Sequence, residues 1–248
     1  MNVLAYADDM VLLANNIDDI NLLYTRLQQL TNKLNLKINE NKSKCIIFRK
    51  SKYVSEDIKN KILLEVVDEF NYLGHLIQYN LDDTSDINLK LNNFYASFNS
   101  IYRNFSIVDF STFLYLFNTY CAPIYGLQLW CCPKIFNKSI FKVFNIAYSN
   151  SLKRVIGCSK FISSHWTANI LSVFLFHHRV ALIQAKYFKR IIKLKNNSIF
   201  LLNRFFIKYG CLGNHLISYF YKTYNINVLG HDMETIESRI TWLQLHNQ

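Results

Sequence analysis

The sequence lacks several features that mark common protein classes. Its six cysteines include no CxxC pair and are too sparse for a small secreted disulfide scaffold. No Gly/Ser-rich linker, low-complexity segment or internal repeat interrupts the 248 residues. Charged residues make up 18% of the chain against 51% apolar residues, which excludes a disordered polar chain. We therefore expect one large or two modest globular domains in a reducing, intracellular setting, with nucleus and cytoplasm not distinguished.

Signals for secretion or membrane insertion are also missing. Asp8 and Asp9 interrupt the first apolar run and no basic residue precedes it, so the start does not read as a signal peptide. Residues 110–133 carry no formal charge and are long enough to span a bilayer, but polar residues, one glycine and two prolines dilute them. We expect no membrane partner.

Basic residues are abundant. The chain has 28 Lys and Arg against 17 Asp and Glu, a net charge of +11, which predicts a polyanionic partner and favours nucleic acid over an acidic membrane surface. Residues 178–195 have helical periodicity with basic side chains on one side. Two interpretations of that stripe stay open: a solvated outer face, or a surface that tracks phosphates. Its members are Arg179, Lys186, Lys189, Arg190 and Lys193.

The first third of the chain predicts mixed helix and strand. Two apolar runs, 2–7 and 10–14, flank Asp8 and Asp9, a pattern typical of a tight hairpin with its acidic pair at the turn. A helix follows Asn16, a predicted N-cap, with its apolar face at Ile20, Leu23, Leu27, Leu30 and Leu34. Short strands are predicted at 36–39 and 44–49, and a second hairpin at 62–67 and 70–78 around Asp68 and Glu69.

After residue 80 the apolar spacing becomes helical. One helix is predicted from a cap near Ser85 to Phe105, and another from Ile140 to Val155, ending at Gly157. The predicted fold class is α+β, with short antiparallel hairpins and a helix followed by a mostly helical remainder.

Two adjacent carboxylates repel each other, and a divalent cation stabilises the ionised pair. Mg²⁺ commonly takes one or two carboxylates together with substrate phosphates and water, so an acidic hairpin tip in a basic protein suits joint binding of metal and phosphate. The alternative is an ordinary exposed turn, where Asp is common for local backbone reasons.

Three stretches, in order and in register, carry a family resemblance. YADDMVLLA, LNLKINENKSK and FNYLGHLI resemble the third to fifth palm motifs of reverse transcriptases, in the version carried by non-LTR (LINE-type) retrotransposons. YCAPIYGLQLW and NSLKRVIGCSK resemble the region after the palm. The resemblance spans about residues 2–160. It implies the second half of a palm at 1–80, a helical thumb-like region at 81–160, and a helical extension of unassigned role at 161–248.

The resemblance also implies roles for single residues. Asp8 matches the family's metal-ligand aspartate in this motif, and Asp9 matches the residue beside it, which supports a metal site at Asp8 and Asp9. Lys42 matches the lysine proposed to protonate departing pyrophosphate, with Lys44 as the competing choice. Tyr6 and Ala7 occupy the positions that in the family lie close to the primer terminus and the incoming nucleotide. Tyr72, Leu73 and Gly74 match the hairpin that grips the primer strand.

The implied activity is RNA-directed DNA polymerisation by two-metal nucleotidyl transfer, with Mg²⁺ as cofactor. The implied partners are an RNA template and DNA primer or an RNA–DNA duplex, and dNTP where the fingers are present; no obligate protein partner is implied. The sequence begins seven residues before Asp8, so the family's upstream aspartate and fingers are not in it. We therefore expect an incomplete metal site and a fragment that is inactive alone. The competing interpretation is a non-catalytic, basic nucleic-acid-binding module.

Overall fold

The computed structural model describes residues 3–51, 53–105, 107–130, 139–193, 225 and 230–246. The chain divides into two compact units, Met1–Asp82 and Asp83–Gln248. Short strand pairs lie in the first unit, and the described part of the second unit is helical. The expected α+β class is confirmed. The further boundary predicted near residue 160 stays a prediction.

The first hairpin pairs β1 (Val3–Tyr6) with β2 (Asp9–Leu12) in antiparallel register. Tyr6 pairs with Asp9, so the two-residue turn is Ala7–Asp8. The predicted hairpin is confirmed, with the difference that Asp9 belongs to the strand and only Asp8 to the turn. Apolar side chains are exposed on both faces of this ribbon, including Leu4 and Met10.

Helix α1 (Ile17–Lys33) starts where the sequence predicts. The side-chain oxygen of Asn16 accepts a hydrogen bond from the backbone N–H of Asp19 at 2.8 Å, the interaction that an N-cap provides. The predicted buried face is only partly buried, since Leu30 and Leu34 are 58% and 68% exposed. The short two-stranded ladders of this unit offer too little surface to cover a 17-residue helix.

Parallel pairing joins β3 (Lys44–Cys45) to β4 (Glu65–Val66), and helix α2 (Glu56–Asn60) lies between them in sequence. The strand predicted at 36–39 is wrong, because those residues form no strand. The chain there passes directly into the turn that ends in Ser43, whose N–H donates to the Asn39 carbonyl at 3.0 Å.

The second hairpin pairs β5 (Glu69–Tyr72) with β6 (His75–Gln78). Its predicted turn at Asp68 and Glu69 is wrong; the turn is Leu73–Gly74, with φ of 47° and 75°. Positive φ at both central positions is what a type I′ turn requires, and glycine is the residue that adopts it at no cost. The charged residues 68 and 69 suggested a turn, but the positive φ values that the turn requires occur at Leu73 and Gly74.

The second unit contains six α-helices among its described residues. Helix α3 (Thr84–Phe105) and helix α5 (Ser139–Val155) confirm two of the three helices predicted after residue 80. Gly157, with φ of 68°, ends α5 in a Schellman motif, because the N–H of Cys158 donates to the Lys153 carbonyl at 2.9 Å. The remaining helices are α4 (Phe110–Leu116), α6 (Ser164–Ile170), α7 (Phe176–Lys193) and α8 (Met233–His246).

Aromatic side chains dominate the core of the second unit. Phe144 on α5 stacks on Phe176 of α7 with ring centroids 4.3 Å apart. Tyr148 packs against both Phe117 and Phe94, which brings α3 and the π-helical turn Phe117–Cys121 to the same centre. Aromatic burial of this extent is the main stabilising contribution expected in such a helical unit.

A buried polar network crosses that core. Asp86 is fully buried; it accepts a hydrogen bond from the Lys90 ammonium at 2.9 Å and another from the Trp130 indole N–H at 2.7 Å. The Gln184 amide donates to the Trp130 carbonyl at 2.7 Å. The network ties α3 and α7 to the segment that ends in Trp130. In the parts of the chain that the structure describes, no helix has the length and hydropathy needed to cross a membrane.

Candidate functional site

The acidic tip of the first hairpin is accessible. Asp8 and Asp9 are exposed, and Tyr6 is 67% exposed. Tyr6 and Asp9 face each other across the ladder, so their side chains lie on the same face. Ala7 adopts φ of 53°, an uncommon conformation for a residue with a Cβ. Backbone strain of this kind often accompanies a functional turn.

Asp8 and Asp9 offer the oxygen ligands that Mg²⁺ prefers, and both are open to solvent and to a phosphate-bearing ligand. The donor set therefore fits a cation that completes its coordination with water and substrate oxygens. Within the described ranges, no group of three or more His, Cys, Asp or Glu side chains could hold a metal ion. The described site supplies two carboxylates.

The two candidate lysines differ in their surroundings. Lys44 forms an ion pair with Glu65 across the β3–β4 ladder. Lys42 is exposed in the preceding turn, held there by its backbone N–H, which donates to the Asn39 carbonyl at 3.1 Å. Lys44 is thus engaged in the fold, whereas the Lys42 ammonium has no ion pair among the described residues. This difference favours Lys42 of the two.

The candidate primer-contacting residues lie at the tip of the second hairpin. Tyr72 is half-buried and pairs with His75, and the half-buried Leu73 and exposed Gly74 form the turn. The two hairpins belong to separate two-stranded ladders of the same unit, with no shared hydrogen-bonded strand among the described residues. The structure thus forms both tips but does not join them in one sheet.

The basic stripe of α7 is partly engaged within the second unit. Arg179, the first member of the stripe, lies near the buried Tyr148. Burial raises the pKa of Tyr148 to about 12, and the positive charge of Arg179 opposes that rise. Lys186 forms an ion pair with Glu237 of α8. Lys189 donates a hydrogen bond to the backbone carbonyl of His231.

The other two members of the stripe, Arg190 and Lys193, are exposed. The role of the stripe in phosphate binding stays a prediction.

Sequence reasoning missed Arg49. Its guanidinium pairs with Asp68, 19 residues away, and lies over the ring of Tyr79. No local pattern marks an arginine whose partners are this distant along the chain. Its position at the base of the second hairpin is visible only in the fold.

Comparison with known proteins shows which family the first part of the chain is similar to. Residues 1–77 match the family model described as Reverse transcriptase (RNA-dependent DNA polymerase). That range includes both hairpin tips and Lys42. The match confirms the resemblance to reverse transcriptases. The LINE-type assignment stays a prediction.

A particular relative extends the match into the second unit. The chain is 29% identical over 160 residues to an uncharacterized transposon-derived protein of Caenorhabditis elegans. The match covers 62% of this chain and 56% of that protein, so this chain spans little more than half the length of the relative. No solved structure matches the chain significantly. The chain is therefore similar to reverse transcriptases over residues 1–77 and to a transposon-derived protein over 160 residues.

Proposed function

We propose that the chain is the C-terminal part of the reverse transcriptase of a LINE-type retrotransposon, comprising the second half of the palm, a helical thumb-like region and a further helical extension. One observation carries the proposal. Residues that match the reverse transcriptase family fold into a tight hairpin whose turn is Ala7–Asp8 and whose tip exposes two consecutive carboxylates.

In this proposal Asp8 and Asp9 hold Mg²⁺, which when bound neutralises charge on the reacting phosphate oxygens. Tyr6 lies beside Asp9 on the ladder, where its exposed ring can contact the base at the primer terminus. The role of Ala7 is to keep the turn small enough for a nucleotide to approach.

In the same proposal the Lys42 ammonium neutralises or protonates the leaving pyrophosphate. The tip formed by Tyr72 and Leu73–Gly74 holds the primer strand. Positioning and charge stabilisation are the contributions expected from these residues. The template is RNA and the primer is DNA.

Metal binding by the acidic tip can be tested directly. Mn²⁺ is a paramagnetic substitute for Mg²⁺, so titration of the purified chain followed by electron paramagnetic resonance counts bound ions. We expect binding that Mg²⁺ competes away and that Asp8→Asn together with Asp9→Asn abolishes. As a matched control, Asp18→Asn and Asp19→Asn remove two consecutive acids from the first turn of α1 and leave the tip intact. Equal loss in both double variants contradicts the assignment.

We further propose that this chain alone does not polymerise DNA, because the family's third carboxylate and fingers come from segments upstream of the matched motifs. Primer extension on an RNA template with Mg²⁺ tests this. No product is expected above the level given by Asp8→Asn. Robust extension that Asp8→Asn abolishes would show that the chain is a complete polymerase.

A non-catalytic nucleic-acid-binding module is the second candidate, favoured by the net charge of +11 and by the exposed Arg190 and Lys193. A salt titration of binding to an RNA–DNA duplex separates the two. A steep loss of affinity with salt that Asp8→Asn leaves unchanged, with no effect of Mg²⁺, supports the binding module. Dependence of affinity on Mg²⁺ and on Asp8 supports the polymerase fragment.

A further inference from the structure

Backbone hydrogen bonds close the open end of the β5–β6 hairpin and attach it to Arg49. The N–H of Tyr79, just after β6, donates to the carbonyl of Asp68, just before β5, at 2.8 Å. The N–H of Arg49 then donates to the carbonyl of Tyr79 at 3.0 Å. The chain around Arg49 therefore lies directly against the base of the hairpin.

The Arg49 side chain contacts both ends of that base. Its guanidinium pairs with the Asp68 carboxylate on the β5 side, and its Cζ lies 4.5 Å from the ring centroid of Tyr79 on the β6 side. A third contact, from the guanidinium to the Ile47 carbonyl at 2.9 Å, fixes the arginine to its own segment. The side chain is 13% exposed, so these contacts are partly shielded from water. Arginine, unlike lysine, offers a planar cationic group that can form an ion pair and stack on an aromatic ring at once.

The hairpin needs such an anchor. An isolated two-stranded ribbon is marginally stable in water, and this one carries a non-glycine residue, Leu73, at φ of 47° in its turn. A strained turn keeps one conformation only when the surrounding structure holds it there. The anchor lies at the opposite end of the strands from the turn, where it can fix strand register without obstructing the tip.

We propose that Arg49 is a positioning residue that fixes the β5–β6 hairpin, so that the Tyr72 and Leu73–Gly74 tip meets the 3′ end of a primer. This inference rests on the proposed function for the use of the tip, but not for the anchor itself. Arg49 acts through Asp68 and Tyr79 and takes no part in the chemistry.

Amide hydrogen exchange tests the anchor without any nucleic acid. In Arg49→Met, exchange across residues 69–79 is expected to quicken about fivefold or more, the loss that corresponds to one partly shielded ion pair. Asp68→Asn removes the same pair from the hairpin side and is expected to act in the same direction. Arg49→Lys, which keeps the charge but not the planar stack, is expected to recover part of the protection. Unchanged exchange in Arg49→Met overturns the proposal.

Binding tests the positioning. Two affinities are measured, one for an RNA–DNA duplex with a recessed DNA 3′ end and one for a blunt duplex of the same length. The quantity compared is the first affinity divided by the second. Arg49→Met is expected to lower this ratio about fivefold, towards one. The matched control is Lys50→Met, which removes the same charge at the next, exposed residue and is expected to leave the ratio unchanged.

The outcomes distinguish the structural anchor formed by Arg49 from its use in positioning a primer. A ratio retained in Arg49→Met, or lost equally in Lys50→Met, overturns the positioning role. A ratio near one in the wild-type chain overturns the use of the tip as a primer contact, and with it this role of Arg49, while the exchange experiment still shows by itself whether the anchor exists. A lower ratio together with faster exchange, partly restored by Arg49→Lys, supports the proposal.

Discussion

Acid is expected to destabilise the helical unit through His177. This residue on α7 lies partly buried, with its Nδ1 3.5 Å from the amide oxygen of Asn145 on α5. Burial, together with the nearby His178 and His165, lowers the pKa of His177 from about 6.5 to about 3. The pKa of His178 is lowered in the same direction, chiefly by burial.

The sign follows from proton binding. In the unfolded chain His177 takes up a proton as the pH falls through about 6.5, whereas the folded chain resists that proton until about pH 3. The stabilisation is therefore fully present above pH 6.5 and is lost progressively as the pH falls towards 3. For His177 alone, the free energy of unfolding at pH 5 is lower than at pH 8 by about 2 kcal/mol.

Urea unfolding followed by tryptophan fluorescence measures this effect, because Trp130, Trp166 and Trp242 all belong to the second unit. In His177→Gln, the difference in unfolding free energy between pH 8 and pH 5 is expected to shrink by about 2 kcal/mol. Val180→Ala, at a buried position on the same helix, is the control, since it lowers stability equally at both pH values. A full wild-type pH dependence in His177→Gln would refute the reasoning.

Three further substitutions test how the fold is held. Asp86→Ala removes the buried carboxylate that accepts hydrogen bonds from the Lys90 ammonium and the Trp130 indole N–H. Urea unfolding of the second unit should show a loss of about 3–5 kcal/mol, and a loss under 1 kcal/mol would contradict the buried pairing. In Gly157→Ala the added Cβ has no other atom within 4 Å, but the residue must keep φ of 68°. The same assay should therefore show a cost of about 1 kcal/mol from backbone strain alone. No change would argue against the observed helix end. Asn16→Ala removes the cap of α1 and should cost about 1 kcal/mol in the first unit, measured by amide exchange in residues 17–20, with unchanged exchange as the contrary result.

Local rules predicted the elements that local chemistry determines. Asn16 places the start of α1, Gly157 places the end of α5, and apolar spacing places the long helices of the second unit. The acidic hairpin was also predictable, because its two strands are adjacent in sequence. Charge alone misplaced the second turn, since a type I′ turn depends on backbone conformation and only Gly74 signals it.

Long-range pairing accounts for what the sequence did not predict. The parallel β3–β4 ladder joins residues 21 positions apart, as the contact between Lys44 and Glu65 shows, and no periodicity marks two-residue strands. The contacts of Arg49 and of Asp86 also join residues that are distant along the chain, so no local pattern marks them. Within the candidate site, the resemblance assigned the residues, while their exposure and the engagement of Lys44 required the fold.

The bare ribbon at the start of the first unit affects how the purified chain will behave in solution. Each outer edge of the β1–β2 pair has no neighbouring strand among the described residues, and apolar side chains cover both of its sides. Such an edge readily adds a strand from another molecule. We therefore expect self-association that grows with concentration, so that dilute samples and a charged substitution such as Leu4→Lys will be needed to keep the chain monomeric.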